Sequence, residues 1–183
     1  PMKTRRIGPF EVSAIGLGCM NLSHAYGTPP PDEAARSLLR EALDLGVDFF
    51  DTAALYGFGA NEGLVGRTLA PDRSKFVLAS KCGLHGLDDG SGVKRVVDGR
   101  PQTLKWSCEQ SLKRLRTDRI DLYLYHWRGG TPLAETVEAL DALRRSGKIG
   151  GWGVSNFDAD DMEELAALAA GPSVQTNQVL YNL

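Results

Sequence analysis

The sequence predicts an α/β fold, a (β/α)8 TIM barrel that is present to about its sixth strand and follows a short N-terminal β-hairpin. Three observations predict it. Apolar strands alternate with helices of ten or more residues, polar side chains end almost every strand, and no GxGxxG motif follows the first strand. An open doubly wound sheet also fits the alternation, but it gathers its ligands at one switch point. Residues 1–183 are expected to form one domain.

The elements follow one another in a regular order. Residues 3–12 alternate polar and apolar around Gly8 and Pro9, which predicts the hairpin. Short apolar runs predict buried strands, and apolar residues spaced by three and four predict helices. The predicted strands are AIGLGCMNL (14–22), DFFDTA (48–53), KFVLASK (75–81), IDLYLYHW (120–127), GWGVSN (151–156) and VQTNQVLYNL (174–183). The predicted helices are DEAARSLLREALDLGV (32–47), NEGLVGRTLA (61–70), PQTLKWSCEQSLKRLRT (101–117), LAETVEALDALRRSGK (133–148) and DADDMEELAALAA (158–170).

The number of strands sets a limit on this barrel. A closed barrel of this kind has eight strands and about 250 residues, so a chain with six predicted barrel strands is expected to be C-terminally incomplete. Two unpaired strand edges favour aggregation or pairing with another chain. The Gly- and Asp-rich tract from His85 to Pro101 is predicted to be a long loop on the catalytic face.

The net charge, the apolar runs and the cysteines indicate which classes of protein are not expected. The formal net charge of -2 gives no reason to expect nucleic-acid or membrane-surface binding. The sequence shows neither an apolar run long enough to span a bilayer nor a signal-peptide core, so a cytoplasmic protein is expected. The three cysteines lack zinc-site spacing, which predicts reduced thiols and no metal site. Cys82, beside Lys81, is the one candidate for a catalytic thiol.

Four chemically capable residues lie where predicted strands end. Asp51 and Tyr56 belong to DFFDTAALYG, Lys81 ends KFVLASK, and His126 lies near the end of IDLYLYHW. In such a barrel the carboxyl ends of the strands converge on one face, where the active site lies. An acid, a phenol, an amine and an imidazole on that face predict a proton-transfer site for a carbonyl compound.

The four side chains have complementary chemistry. A phenol has a pKa near 10, and a lysine ammonium within about 4–6 Å lowers that value. We therefore predict that Tyr56 is the general acid, that Lys81 lowers its pKa, and that Asp51 keeps Lys81 charged and oriented. His126 would hydrogen-bond the carbonyl oxygen and stabilise the developing negative charge. Taken singly, these residues could instead be a helix cap, a loop aromatic, a solvated amine and a histidine packed beside Trp127.

The chain resembles the aldo-keto reductases along nearly its whole length. The matching strings are GLGCMNLS, DFFDTAALYG, NEGLVGRTL, VLASKCG, SLKRLRTDRIDLYLYHW, ALRRSGKIGGWGVSNF and TNQVLYN. The resemblance implies an eight-stranded barrel that reduces carbonyl compounds with NADPH in a cytosolic, metal-free site. It also implies that Asp51, Tyr56, Lys81 and His126 are the catalytic tetrad.

The resemblance further implies that Ser155, Asn156 and Gln178 hold the nicotinamide carboxamide of NADP. Ser155 and Asn156 could alternatively form only the N-cap of the following helix. The choice of NADP over NAD rests on the family alone. Two strand–helix units of the family are not matched, and with them the loops that hold the pyrophosphate and the adenosine 2′-phosphate. The WRGG sequence after His126 also differs from many members.

The resemblance leaves three functions open. The first is reduction of a small-molecule carbonyl compound, or the reverse oxidation of an alcohol or sugar. The second is a cofactor-binding regulatory subunit of the same fold. The third is an inactive truncated fragment that binds NADPH weakly or not at all. Tyr26, Phe58, Trp127 and the loop 85–101 are expected to contribute to the substrate pocket.

Overall fold

The computed structural model describes residues 2–23, 27–88 and 90–181. Strands β1 to β10 are Thr4–Ile7, Phe10–Ser13, Leu17–Gly18, Phe49–Asp51, Val77–Cys82, Leu84–Asp88, Val93–Val97, Ile120–Tyr125, Ile149–Ser155 and Val174–Gln178. Helices α1 to α5 are Asp32–Asp44, Ala60–Leu69, Pro101–Leu115, Leu133–Arg145 and Ala159–Ala167. Each predicted strand and helix has a counterpart here, although the ends differ by a few residues.

Six parallel strands form a half-barrel in the order β3-β4-β5-β8-β9-β10. Strands that are neighbours in this order follow one another along the chain, apart from the inserted β6 and β7, and helices make the crossovers. Because all six strands run in one direction, their carboxyl ends share one edge of the sheet. Within the described residues β3 and β10 remain the two edges of this sheet.

The predicted N-terminal hairpin is present and lies under the half-barrel. Strands β1 and β2 pair antiparallel, from Thr4 opposite Ser13 to Ile7 opposite Phe10. Ile7, Phe10 and Phe49 pack against an apolar cluster inside the half-barrel, made of Ala79, Leu122 and Leu124. The hairpin therefore covers the amino end of the strands and leaves the carboxyl end open.

The prediction of a long loop over residues 85–101 is wrong. Strands β6 and β7 form an antiparallel hairpin, from Leu84 opposite Val97 to Asp88 opposite Val93. Glycines at the turn, Gly90 with φ of 85° and Gly92 with φ of 127°, supply the left-handed backbone that a tight connection needs. The Gly and Asp residues around the turn are typical of a loop, but the adjacent run VKRVV is rich in strand-forming valine and forms β7.

The main core lies between the half-barrel and its helices. It includes large, fully buried side chains of the strands, such as Phe50, Tyr123, Tyr125 and Trp152. Buried residues occupy almost every position of β5, β8 and β9, as expected for strands covered on both faces. None of the helices in the described part of the chain is long and apolar enough to cross a membrane.

Helices α2 and α3 are in close contact at Gly66. A β-carbon at this position would overlap the carbonyl oxygen of Arg114 and the backbone of Leu115. The same two helices share a charged contact, since Arg114 donates to the fully buried carboxylate of Glu62 at 2.7 Å. Glu62 also accepts a hydrogen bond from Ser80, next to Lys81, so helix packing and the interior of β5 are connected.

Gly66→Ala should lower the free energy of unfolding by about 1–3 kcal/mol, because the added methyl group must push two backbones apart. Gly63→Ala is the matched control. Its β-carbon would meet only the end of Arg67 at 3.8 Å, so a gain of up to about 1 kcal/mol in helix propensity is expected. Urea unfolding of both variants measures the difference. Equal effects would show that the close contact of the helices does not determine stability here.

Candidate active site

The carboxyl edge of the half-barrel opens onto a cavity of about 490 Å³. Its wall is formed by residues at the ends of the strands and in the loops that follow them. All seven residues predicted from the sequence line it: Asp51, Tyr56, Lys81, His126, Ser155, Asn156 and Gln178. The described structure therefore brings together a set of side chains that are separated by more than 120 positions in the sequence.

Lys81 is the centre of the hydrogen bonding in this cavity. Its ammonium group lies 2.7 Å from each carboxylate oxygen of Asp51, 3.0 Å from the carbonyl oxygen of Thr52 and 3.2 Å from the hydroxyl of Tyr56. The side chain is only 2% exposed. Burial acts to lower the pKa of Lys81, but Asp51 and Tyr56 act in the opposite direction and hold it above the ordinary lysine value. Lys81 is therefore a permanent buried cation.

A 3₁₀ turn at Tyr56–Gly59 carries the phenol into the cavity. Gly57, Phe58 and Gly59 all have positive φ, of 55°, 52° and 96°, which turns the chain sharply from the end of β4 into α2. Phe58 holds an uncommon conformation for a residue with a side chain. This turn aims the hydroxyl of Tyr56 at Lys81, whose ammonium group also lies 5.0 Å from the centre of the phenol ring.

The expected lowering of the Tyr56 pKa is wrong for this structure. Burial raises the pKa of Tyr56 above its ordinary value, and this effect exceeds the lowering by Lys81. Asp51 raises the value further. The phenol consequently keeps its proton at neutral pH, and that is the form a general acid needs before reaction.

His126 follows β8 and is held by its backbone. Its amide donates to the carbonyl oxygen of Cys82 at 2.9 Å, and its carbonyl accepts from Asn156 Nδ2 at 3.1 Å. Burial lowers the pKa of His126 to about 3, with smaller contributions from Lys81 and Arg95, so the ring is neutral. Within the described residues Nδ1 is buried and has no hydrogen-bond partner, which leaves Nε2 as the nitrogen for a ligand.

Three polar residues form the opposite side of the cavity. Ser155 Oγ donates to the carbonyl oxygen of Gln178 at 2.9 Å and accepts from Asn156 Nδ2 at 3.1 Å. Among the described residues the side-chain amide of Gln178 makes no hydrogen bond, so both its donor and its acceptor remain for a ligand. The N-cap alternative for Ser155 and Asn156 is wrong, because Asp158 caps α5 in a reciprocal capping box with Asp161.

The chain is similar to known proteins along most of its length. Residues 14–183 match the sequence profile described as the Aldo/keto reductase family. The chain belongs to this family. It is 38% identical over 176 residues to methylglyoxal reductase YeaE of Escherichia coli, and 36% identical over 183 residues to the aldo-keto reductase yakc [NADP(+)] of Schizosaccharomyces pombe. These alignments cover 96% and 98% of the chain but only 57% and 53% of the two relatives, so the chain spans little more than half their length.

Solved aldo-keto reductase structures share the fold. The holo form of AKR11C1 from Bacillus halodurans superposes with a TM-score of 0.86 at 32% identity, over 99% of this chain and 58% of that one. An aldo/keto reductase from Klebsiella pneumoniae in complex with NADP and acetate gives 0.81 at 38% identity, over 99% and 59%. These matches show the family's α/β fold for the half-barrel.

The cavity wall also contains residues that the sequence did not single out. Arg95 of β7 lines the cavity, in agreement with the prediction that residues 85–101 contribute to the pocket, although the sequence did not single it out. Trp127 lines the cavity as expected, whereas Phe58 is 54% exposed and packs against Gly86 of β6. Tyr26 lies outside the described residues. The further wall residues are Met20, Leu55, Leu84, Val179 and Leu180, all apolar, which no spacing rule singled out.

The structure does not support Cys82 as a catalytic thiol. Its thiol is fully buried on the opposite face of β5 from Lys81, 3.4 Å from the carbonyl oxygen of Leu124, and burial raises its pKa far above the ordinary cysteine value. A thiolate nucleophile is excluded at this position. In the part of the chain that the structure describes, no group of three or more His, Cys, Asp or Glu could hold a metal ion.

The neutral, buried state of His126 predicts a pH dependence of stability. The pKa is about 3 in the folded state against an ordinary 6.5, so the unfolded state takes up the proton first as the pH falls. Stability from this residue is complete above pH 6.5 and is lost as the pH falls towards 3. Between about pH 7 and about pH 5 the wild type should therefore lose about 2 kcal/mol more unfolding free energy than His126→Gln.

Urea unfolding at several pH values measures this difference. His85→Gln, which removes an imidazole outside the cavity wall, is the control. Parallel curves for the wild type and His126→Gln would contradict a neutral, buried His126.

Proposed function

We propose that the protein is an NADPH-dependent oxidoreductase that reduces an aldehyde or ketone to an alcohol, or catalyses the reverse reaction, with Tyr56 as general acid. We also propose that residues 1–183 belong to a single (β/α)8 barrel domain. One observation carries the proposal: the ammonium group of Lys81 contacts the carboxylate of Asp51 and the hydroxyl of Tyr56 at once, on the wall of an open cavity.

The Lys81 contact explains how a weakly acidic phenol can donate a proton. Reduction places negative charge on the carbonyl oxygen, and the proton of Tyr56 moves to that oxygen as the charge develops. The phenolate that remains lies 3.2 Å from a buried ammonium, in surroundings where charges interact more strongly than in water. Asp51 keeps the ammonium charged and in place. Lys81 thus stabilises the product of proton transfer without removing the proton beforehand.

His126 supplies a second contact to the carbonyl oxygen. Since Nδ1 is buried without a partner, the tautomer with hydrogen on Nε2 offers a donor to a ligand in the cavity. Its ring packs edge-on against Tyr56, with centroids 5.8 Å apart, so both groups can reach one oxygen atom. A neutral donor fits this role because an imidazolium beside Lys81 would be repelled by it.

The polar side of the cavity fits a nicotinamide carboxamide. Ser155, Asn156 and Gln178 carry no formal charge, and the Gln178 amide has both hydrogen-bonding groups available among the described contacts. Bound NADPH supplies the hydride, which no side chain of the cavity can provide. The relatives favour the phosphorylated cofactor, since one is named for NADP(+) and a Klebsiella structure contains NADPH.

The size of the cavity and the buried cysteines also agree with such an enzyme. A small carbonyl compound or sugar is the expected substrate for a cavity of this size. Cys19, Cys82 and Cys108 are free and buried, which agrees with a reducing compartment, and we propose the cytoplasm.

Tyr56→Phe should reduce the turnover of 4-nitrobenzaldehyde by about 10²–10⁴-fold, because the proton donor is lost. NADPH binding should be unchanged, since the phenol does not hold the cofactor in this scheme. Turnover is measured by loss of NADPH absorbance and binding by fluorescence titration. Tyr181→Phe is the matched control, since Tyr181 is 82% exposed and lies outside the cavity wall.

The outcomes separate the alternatives. Turnover that survives Tyr56→Phe would contradict the general-acid role. NADPH binding by the wild type without turnover of any aldehyde or ketone would instead indicate the cofactor-binding regulatory function, and absence of both would indicate an inactive chain.

A further inference from the structure

The hairpin of β6 and β7 places a permanent cation on the cavity wall. Arg95 lies opposite Gly86 in this hairpin, and it lines the same cavity as Tyr56 and His126. Gly86 packs directly against the ring of Phe58, two residues beyond Tyr56, so that a β-carbon at Gly86 would overlap it. The position of Arg95 is therefore coupled through short contacts to the turn that carries the general acid.

Two other charged residues line the cavity, and they pair with each other. Asp51 and Lys81 form an ion pair at 2.7 Å, and burial keeps His126 neutral. Among the described residues that line the cavity, Arg95 is the one ionised group outside this pair. Its charge acts inside the cavity, because it contributes to the low pKa of the His126 ring.

Arg95 is also suited to bind a ligand. Arg95 is exposed and already takes part in an interaction with its surroundings. An exposed guanidinium exchanges one partner for another at little cost, because exposed ion pairs are weak. A carboxylate suits it particularly well, since the planar fork of Arg matches the two oxygens.

We propose that Arg95 determines substrate specificity, and that it selects aldehydes or ketones that carry a carboxylate remote from the carbonyl group. This rests on the proposed carbonyl reduction: Tyr56 and His126 receive the carbonyl end, and Arg95 receives the anionic end. Arg95 takes no part in proton transfer, so its effect falls on substrate choice and not on the chemical step.

The test compares 4-carboxybenzaldehyde with 4-formylbenzamide, which has nearly the same shape and no charge. The wild type should have the higher kcat/KM for the carboxylate. Arg95→Gln should lower the carboxylate-to-amide ratio by about tenfold, mainly through KM, since a charge-assisted hydrogen bond is lost. Arg95→Lys should retain part of the preference. Lys94→Gln is the control, because it removes the same charge from the adjacent position of β7, outside the cavity wall.

A carboxylate-to-amide ratio that stays within about twofold in Arg95→Gln, or falls equally in Lys94→Gln, would overturn the proposal.

A binding experiment separates this inference from the proposed activity. The two corresponding alcohols, 4-carboxybenzyl alcohol and 4-(hydroxymethyl)benzamide, are titrated while the indole NMR signal of Trp127 is followed. Tighter binding of the carboxylate that Arg95→Gln abolishes would support the role of Arg95 even if no aldehyde were reduced. Equal binding of the two alcohols by the wild type would overturn it even if both aldehydes were reduced.

Discussion

The structure of the site depends on one buried ion pair, between Lys81 and Asp51. An ammonium group that is 2% exposed is tolerated only when its charge is matched and its hydrogen bonds are made. Both carboxylate oxygens of Asp51, the carbonyl of Thr52 and the hydroxyl of Tyr56 satisfy Lys81. The pair joins the ends of β4 and β5 to the turn that follows. The chemistry and the local fold are thus set by the same contact.

The ion pair also determines the protonation states around it. It leaves little net charge beside Tyr56, so burial prevails and the phenol remains protonated. The ammonium nevertheless lies next to the position where phenolate charge would form, and burial and Lys81 both disfavour an imidazolium at His126. A neutral acid and a neutral donor beside a fixed cation can stabilise an oxygen anion without first creating one. This is the electrostatic basis of the proposed carbonyl reduction.

Much of this site could be predicted from the sequence, because parallel strands bring the residues at their carboxyl ends to one edge. That rule predicts from the sequence alone that Asp51, Lys81 and His126 lie at this edge. The direction in which the pKa of Tyr56 shifts could not be predicted. Burial depends on the assembled cavity, and it raises this pKa by more than Lys81 lowers it. The strand pairing that positions Arg95 could not be predicted for another reason, because the glycines of the turn dominate the local composition.

The role of Lys81 is tested most directly by the pKa of Tyr56 when the ion pair is removed as a unit. The double variant Asp51→Asn/Lys81→Met leaves no unmatched buried charge, and ¹³C NMR of labelled tyrosine, assigned with Tyr56→Phe, follows the alkaline titration. Lys81 lowers this pKa more than Asp51 raises it. Tyr56 should therefore titrate at higher pH in the double variant than in the wild type. An equal or lower pKa would contradict the claim that Lys81 stabilises the phenolate.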